Sequence, residues 1–534
     1  MDHDSSIASG NSQIPTPMGA STRAGLAVLG AAAMLGVLGD TLLRAGSWGI
    51  NGTLWLAAFV VALALLRHWP APTLLGGDAV AAATALMFAL GLAWRDSVAL
   101  KLFNLAAVAT IVALPFLRPL GARLKSASLS QLCGAGVLAG LHAAFGGVLL
   151  ATSDIRWGEV RAGRWSARVL AVARGVALAV PLLVVFGALL VAADAVFARF
   201  VAEVLRIDLE VLVWHIISAV FFAWVAGGVL RGILLQGRVT PFWDERPLTA
   251  RLGIVEVGIV LGLLDVLFLS FVVVQVRYLF GGARYVASMP GLTYAEYARR
   301  GFFELVAVAA LAVPLLVLAH WLLRGEGAAA ERVFRMVGAA MSVLLWVIMA
   351  SAVQRMVLYM EVYGLSELRM YTLAFMGWLA VVLLWFALTV LRGRRRLFAQ
   401  GALAAGLGVI ATLNVCNPDG LIAEVNLSRG RAGGHFDARY AAALSADAAP
   451  ALVAGLSALG PEDRDRIIGG LSGLRHRLEG ADWRTWSWSR ARARRILERV
   501  RPVPLRPSSE PPREPGGDCG RRSADQAGKD LPKV

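Results

Sequence analysis

Charged residues are scarce in this chain: only 16% of its 534 residues are Asp, Glu, Lys or Arg, whereas 57% are hydrophobic. Soluble domains carry about a quarter charged residues. A deficit of this size over several hundred residues excludes a purely soluble protein. Uncharged stretches of about 20 apolar residues become candidate membrane helices, because that length crosses a hydrocarbon core of about 30 Å.

Cysteine is also scarce, and several common functional motifs are missing. The three cysteines (Cys133, Cys416 and Cys519) form no CxxC pair, so the sequence supports neither a zinc ribbon nor a redox pair. The motifs GxxxxGK(S/T), HExxH and GxSxG do not occur, which argues against a nucleotide-driven transporter, a zinc peptidase and a serine hydrolase. We therefore expect no cofactor and no metal, and an enzyme is not the favoured interpretation.

Apolar runs bounded by charged or turn residues predict about twelve membrane spans. These spans must be helical, because backbone N–H and C=O groups find no water partner in lipid. The chain is thus predicted to be an all-α polytopic transmembrane helical bundle over residues 24–413, preceded by a polar N-terminal segment, 1–23. The expected spans are 24–43, 50–66, 77–94, 98–117, 134–151, 175–193, 211–230, 252–276, 302–323, 336–353, 371–391 and 397–413.

Beyond the last span, residues 414–501 are predicted to form a small helical soluble region, because residues 437–501 alternate apolar and charged positions at helical spacing. Pro461, followed by two acidic residues, marks the start of one helix. The stretch 483–501 either packs on the preceding helices, which we favour, or lies on a membrane surface. Residues 502–534 are rich in Pro, Gly, Ser and charge, and they are predicted to form a disordered tail.

The net charge of +16 is expected in the loops of a membrane protein and does not indicate a nucleic-acid partner. Successive basic loops (152–174, 231–251, 324–335 and 392–396) are separated by two predicted spans each, so they lie on one side. The positive-inside tendency makes that side cytoplasmic. In a bacterium, this orientation predicts a protein of the bacterial cell (inner) membrane with a periplasmic C-terminal region. The first five spans show no clear charge bias, so the side of the N-terminus stays open.

Asp265 is the clearest charged residue inside a predicted span. It lies near the middle of 252–276, where an ionised side chain is costly. Glu256 lies nine residues earlier, half a turn out of phase on the helix, so the two carboxylates cannot form a dyad. Asp265 is either a proton- or ion-coupling group or a hydrogen-bonding residue between helices.

Polar residues concentrate in the loops expected opposite the basic ones. If they converge, they can form a pocket for a small-molecule ligand or an envelope protein partner. If they do not, Tyr and Arg serve as an ordinary interfacial belt in contact with the lipid bilayer. The candidate cluster comprises Asp194, Tyr294, Glu296, Tyr297, Arg300, Glu304, Arg355, Glu361, Arg369, Asn417 and Asp419.

Short phrases in the second half of the chain are distinctive. They are LLVAADAVF (189–197), LTYAEYARRGFFEL (292–305), LNVCNPD (413–419), and DARY with LSAD (437–447). These phrases resemble a family of bacterial multi-pass membrane proteins of unknown function (DUF4173/DUF4153-like). The likeness covers about residues 175–450 and leaves out the first five spans and the far tail. The family has proline after the first aspartate, where this chain has Ala195. The resemblance implies a bacterial membrane location and no particular activity.

Three functional hypotheses remain open. The preferred one is an integral membrane protein of the bacterial cell envelope with a binding, sensing or scaffold role through its outer polar face. The second is a secondary transporter that uses Asp265, although no inverted repeat supports it. The third is an envelope enzyme that acts on a lipid-linked substrate, with Glu296, Glu304 or Glu361 as acid or base, although no motif supports it.

Overall fold

The structure is a computed structural model of the full chain. It describes residues 19–44, 46–67, 76–161, 189–196 with a few residues around them, 209–237, 253–287, 302–323 and 327–499. The predicted polar segment 1–23 (except its last residues), most of the predicted span 175–193 and the predicted tail 502–534 lie outside this part of the chain.

Helices and turns make up the described residues, with no strand among them. The predicted all-α fold class is therefore confirmed. The helices of the bundle are α1 (Ala20–Leu43), α2 (Ile50–Arg67), α3 (Gly76–Trp94), α4 (Val98–Ala113), α5 (Leu129–Leu149), α6 (Trp157–Arg161), α7 (Leu209–Leu234), α8 (Ile254–Ala287), α9 (Phe302–Leu322), α10 (Gly327–Tyr363), α11 (Glu367–Thr389) and α12 (Phe398–Cys416). Beyond them follow α13 (Pro418–Arg431), α14 (Ala438–Ala443), α15 (Ala449–Gly455), α16 (Pro461–Glu479) and α17 (Trp488–Arg499).

Ten helices in the described ranges are long and apolar enough to cross a membrane. They are α1, α2, α4, α5 and α7 to α12, and each overlaps a span expected from the apolar runs. A shorter apolar helix, Ala79–Trp94 in α3, corresponds to an eleventh expected span. The polytopic bundle follows from the length and composition of these segments.

The bundle packs around two main cores. One is formed by the five helices α8, α9, α10, α11 and α12, with buried residues such as Leu316, Met341 and Phe386. The other joins α1, α2, α5 and α7 with the end of α4. At the crossing of α1 and α7, a Cβ on Gly36 would lie 2.6 Å from the Cβ of Ala223, so only glycine permits this approach. Small residues at such crossings are typical of helices that associate in lipid.

The helices α13 to α17 surround a core of their own, which includes Ile422, Ala441, Ile467 and Leu497. As predicted, Pro461 opens a helix (α16) with acidic residues in its first turn. The last helix, α17, turns its buried residues toward this core, so the favoured packing arrangement is confirmed for the described part of this stretch, 483–499. We call α13 to α17 the C-terminal region.

The C-terminal region meets three turns of the bundle, at 46–49, 95–97 and 364–366. These turns therefore share one face of the bundle, which we call the C-terminal face. At each turn a backbone amide donates a hydrogen bond to the C-terminal region. Ile50 N–H donates to the Trp486 carbonyl (2.9 Å), Asp96 N–H to the Asp447 carboxylate (2.6 Å) and Leu365 N–H to the Asn426 side-chain oxygen (2.8 Å).

The opposite face carries basic turns. Glu331 accepts hydrogen bonds from Arg335 at 2.9 Å and from Arg395 at 3.0 Å, so the two basic loops expected to share a side do meet. The turn Leu124–Ser126 packs beside the turn Arg395–Leu397. The end of α1 lies at the C-terminal face, where its last turn accepts a hydrogen bond from the C-terminal region. Helix α1 therefore starts at the opposite face, which the charge pattern left open.

Candidate functional site

Asp447 is the centre of the contact between the C-terminal region and the bundle. It is 4% exposed, and it lies in a short 3-10 turn, where the Ser445 hydroxyl accepts a hydrogen bond from the Asp447 amide. Its carboxylate accepts the amide N–H groups of Asp96 at 2.6 Å and Ser97 at 3.0 Å, and also the Ser489 hydroxyl. One carboxylate thus holds together the α3–α4 turn and two elements of the C-terminal region.

Arg95 provides the charge that opposes Asp447. The guanidinium lies 3.3 Å from the carboxylate, and the residue is 9% exposed. Its remaining N–H groups donate to the carbonyls of Asn414 at 2.7 Å and Val415 at 3.2 Å. Those carbonyls belong to the last turn of α12, which lacks partners within its own helix. Arg95 therefore ties the end of the last span to Asp447.

A second ion cluster forms around Asp96. Its carboxylate accepts Lys101 at 2.9 Å and Arg490 at 2.7 Å. Burial by itself raises the pKa of Asp96, but the positive charges of Lys101 and Arg490 outweigh it and hold the pKa below its ordinary value. One carboxylate therefore stays ionised between two cations.

Asp419 is another deeply buried acidic residue at this face, at 1% exposure. Asn417, at a positive φ of 52°, ends α12, and Pro418 opens α13, so the chain turns sharply and directs Asp419 inward. One carboxyl oxygen accepts the Ser445 amide at 3.3 Å and the Ser445 hydroxyl at 2.5 Å. The other oxygen, Oδ1, is buried and has no hydrogen-bond partner among the described residues.

The environment of Asp419 favours its protonated form. Burial is the largest influence, and the nearby carboxylates of Glu367 and Asp447 add to it, so the pKa of Asp419 rises to about 7 although Ser445 opposes the shift. A carboxyl that titrates near neutral pH in a cleft is a candidate functional group.

A cavity of about 1080 Å³ separates the bundle from the C-terminal region beside these carboxyls. Its lining combines the apolar start of α4 with polar groups from both parts of the chain. The charged lining residues are Asp96, Lys101, Glu367, Asp419, Arg477, Asp482 and Arg490. Such a mixture of apolar wall and convergent polar groups is typical of a small-molecule site. Within the described residues, no group of three or more His, Cys, Asp or Glu side chains is placed to hold a metal ion.

The predicted polar cluster is divided by the structure. Asp419 lines the cavity, and Asn417 supports it by donating to the Asp447 carbonyl at 3.2 Å. Arg369 lies 4.4 Å over the Tyr359 ring and donates to the Tyr363 carbonyl, outside the cavity lining. The other described members, Asp194, Glu304, Arg355 and Glu361, also lie outside the lining. Tyr294, Glu296, Tyr297 and Arg300 lie outside the described residues.

Asp265 lies on α8 and takes no part in the lining of this cavity. Its Oδ1 is buried, and no hydrogen-bond partner for it exists in the described part of the chain. Ten residues later on the same helix, Gln275 accepts a hydrogen bond from the Ser351 hydroxyl of α10 at 3.2 Å. The intramembrane acid and the cavity are therefore separate features.

Sequence reasoning missed most of the site. Asp447 and Ser445 stood in one of the distinctive phrases, LSAD, but nothing in their spacing pointed to a partner. Arg95 and Asp96 lie more than 300 positions away in the chain, in a short turn between two spans. Adjacent opposite charges in a turn this short were the available signal for that half of the site.

Comparison with known families now gives the context. The profile of a family described as "Domain of unknown function (DUF4153)" matches residues 82–455, more than half of the chain. This chain belongs to the DUF4153 family. The resemblance seen in its phrases is thereby confirmed, but the expected start near residue 175 was wrong. The DUF4153 match begins inside α3 and so includes Arg95 and Asp96. No curated protein and no solved structure matches the chain.

The DUF4153 match ends at residue 455, the last residue of α15. The carboxylates Asp96, Asp419 and Asp447 fall inside it, whereas the cavity residues Arg477 and Arg490 follow it. Many apolar helices and the family match together make this DUF4153 chain an integral membrane protein.

Proposed function

We propose that this DUF4153 chain is a binding or sensing protein of the bacterial cell envelope, with its ligand site in the cavity between the bundle and the C-terminal region. The observation that carries the proposal is that Asp419 lines a cavity of about 1080 Å³ and has a buried carboxyl oxygen without a hydrogen-bond partner in the described residues. A buried acceptor without a donor costs about 1–3 kcal/mol, which a ligand donor recovers.

The position of the cavity supports a sensing role. A ligand there contacts Asp96 and Lys101 from the bundle as well as Ser445 and Arg477 from the C-terminal region. Occupancy therefore changes the contact between the two parts. The transporter and enzyme hypotheses receive less support, because Asp265, Glu304 and Glu361, the residues on which they depend, lie outside the cavity lining.

Charge distribution supports an extracytoplasmic C-terminal region. The face opposite to it carries Arg118, Arg123 and Lys125 in one turn and four arginines between 392 and 396 in another. Short basic loops stay in the cytoplasm during membrane insertion. We therefore place the C-terminal face and its cavity on the outer side of the bacterial inner membrane.

Thiol labelling in intact bacterial cells tests this orientation. With the three native cysteines replaced by serine, Ser472→Cys on exposed α16 is expected to react with a membrane-impermeant maleimide. Arg396→Cys, exposed on the basic face, is the matched control and should react only after the membrane is permeabilised. The reverse pattern would place the C-terminal region in the cytoplasm and overturn the proposal.

Filling the cavity tests the binding role. The full chain in detergent is heated with a panel of amino acids, polyamines, sugars, nucleotides and phospholipids. A ligand at about 100 times its Kd raises the free energy of unfolding by about 2.7 kcal/mol. We expect stabilisation by at least one compound class, and its loss in Ala481→Trp, which places an indole in the lining.

Ala454→Trp is the control, because Ala454 is also exposed but lies on α15 and does not line the cavity. Stabilisation that survives in Ala481→Trp, or a panel without any stabilising compound, contradicts a ligand site in this cavity.

A further inference from the structure

The cavity has an apolar wall that continues into a membrane span. Val98, Leu102 and Leu105 follow one another at helical spacing along the first turns of α4, and all three line the cavity. Val98 is 71% exposed and Leu102 61%, so no other part of the described protein covers them. Because α4 is a candidate span, this wall extends from the polar groups toward the bilayer interior. The shape suits an amphiphile.

One polar centre of the cavity has excess positive charge. The Asp96 carboxylate pairs with both Lys101 and Arg490, which leaves one cation uncompensated. Arg477 also lines the cavity, and within the described residues it has no carboxylate within 4 Å. A phosphate diester carries one negative charge and several acceptor oxygens, which match guanidinium and ammonium donors.

The other polar centre is acidic. Asp419 and Glu367 both line the cavity, and in the described part of the chain neither has a Lys or Arg nitrogen within 4 Å. The buried Oδ1 of Asp419 needs an N–H or O–H donor. A primary ammonium brings three such donors, whereas a quaternary ammonium brings none.

The two centres are neighbours. The Asp96 carboxylate accepts the Ala446 amide at 3.4 Å, and the Asp419 carboxyl accepts the Ser445 amide at 3.3 Å. Ser445 and Ala446 are consecutive, and consecutive Cα atoms lie about 3.8 Å apart. A phosphate and an amine separated by two carbons therefore match the juxtaposition of positive and acidic groups.

We propose that the cavity binds a phospholipid whose headgroup carries a phosphate and a primary amine, the phosphoethanolamine chemistry. The ammonium lies at Asp419 and Glu367, the phosphate at Lys101, Arg477 and Arg490, and an acyl chain along the exposed side of α4. This assignment rests on the proposed function, because it names the ligand of the same cavity.

Lipid titration of the detergent-purified full chain, followed by native mass spectrometry, tests the assignment. The probes are dioleoyl phosphatidylethanolamine, phosphatidylcholine and phosphatidylglycerol. We expect the ethanolamine lipid to bind about ten-fold more tightly than either of the others, the effect of one additional charge-assisted hydrogen bond. Glu367→Gln and Asp419→Asn should each remove this preference.

Glu367→Gln carries the test if Asp419→Asn does not fold, since the Glu367 carboxylate has no ion-pair partner in the described residues to lose. Glu424→Gln is the matched control. Glu424 lies on α13 like Asp419, but its side chain is exposed and does not line the cavity. It should leave the preference unchanged.

Equal affinity for the three lipids, or a preference that persists in Glu367→Gln and Asp419→Asn, overturns the assignment. O-phosphoethanolamine without acyl chains must bind at least ten-fold more weakly than the lipid; equal affinity means that a soluble headgroup is the ligand and the lipid assignment is wrong. If the lipids fail but another compound still loses its effect in Ala481→Trp, the ligand site stands without this lipid. If no compound distinguishes Ala481→Trp from wild type, both the ligand site and the lipid assignment are wrong.

Discussion

Replacing Asp447 by alanine is expected to separate the C-terminal region from the bundle. The variant loses the acceptor of the Asp96, Ser97 and Ser489 donors and leaves the guanidinium of the buried residue Arg95 without its carboxylate. Removing one partner of a buried ion pair typically costs about 3–5 kcal/mol. We expect the free energy for separating the C-terminal region from the bundle to fall by this amount.

Hydrogen–deuterium exchange of the full chain measures this loss. The amides of Asp96 and Ser97 should exchange far faster in Asp447→Ala, together with those of α17, because they lose the acceptor or the anchor that protects them. Asp447→Asn keeps an acceptor oxygen but loses the charge, so an intermediate effect is expected. Asp465→Ala, an exposed acid on α16, is the control and should change stability by less than about 0.5 kcal/mol. Equal exchange in Asp447→Ala and Asp465→Ala would refute the anchoring role.

Replacing Asp419 by asparagine is expected to change how the stability of the protein depends on pH. In the folded chain the pKa of Asp419 is about 7, because burial and neighbouring carboxylates disfavour the ionised form. In the unfolded chain an aspartate ionises near pH 4. Between these values the folded state holds a proton that the unfolded state has released, so the free energy of unfolding falls as pH rises.

Below about pH 4 both states of the wild type are protonated, and above about pH 7 both are ionised, so the contribution of Asp419 is constant there. The asparagine side chain of the variant does not titrate. The stability of Asp419→Asn relative to wild type should therefore rise between about pH 4 and pH 7 and then level off. One pKa unit corresponds to about 1.4 kcal/mol, so the rise is up to about 4 kcal/mol.

Thermal or denaturant unfolding of the two proteins in detergent, at several pH values, measures this difference. Glu424→Gln on the same helix should run parallel to wild type, because Glu424 is exposed. If Asp419→Asn also runs parallel to wild type from pH 4 to 7, Asp419 does not have a raised pKa in the folded protein.

Much of the fold was predictable from local composition. Spans such as α1, α9 and α11 lie within a few residues of the expected limits, because transfer of a segment from water to lipid depends on that segment's own residues. The start of α16 at Pro461 was likewise predictable from local helix-start chemistry. The start of the family match at residue 82 was not predictable, because the phrases that carry the resemblance lie in the second half of the chain.

The candidate site was predictable only in part. Asn417 and Asp419 stood out as polar residues directly after the last span, and both belong to the site. The structure places Asp419 beside Ser445 and near Glu367, whereas Glu304 and Glu361, which were grouped with it in the predicted cluster, lie outside the cavity lining. Polarity along a chain indicates which residues reach a membrane surface and does not indicate which of them meet.

The sequence by itself determined that this protein is an all-helical bundle in a membrane, with a helical region after its last span. The reason is that the free energy of transferring a segment from water to lipid is the sum of contributions from that segment's own residues. Only the tertiary structure decided that Arg95 opposes Asp447 across 352 positions, and that an Asp419 oxygen is buried without a donor among the described residues. Ion pairs and buried acceptors depend on distances of a few ångströms between distant parts of the chain, and those distances exist only after the helices have packed.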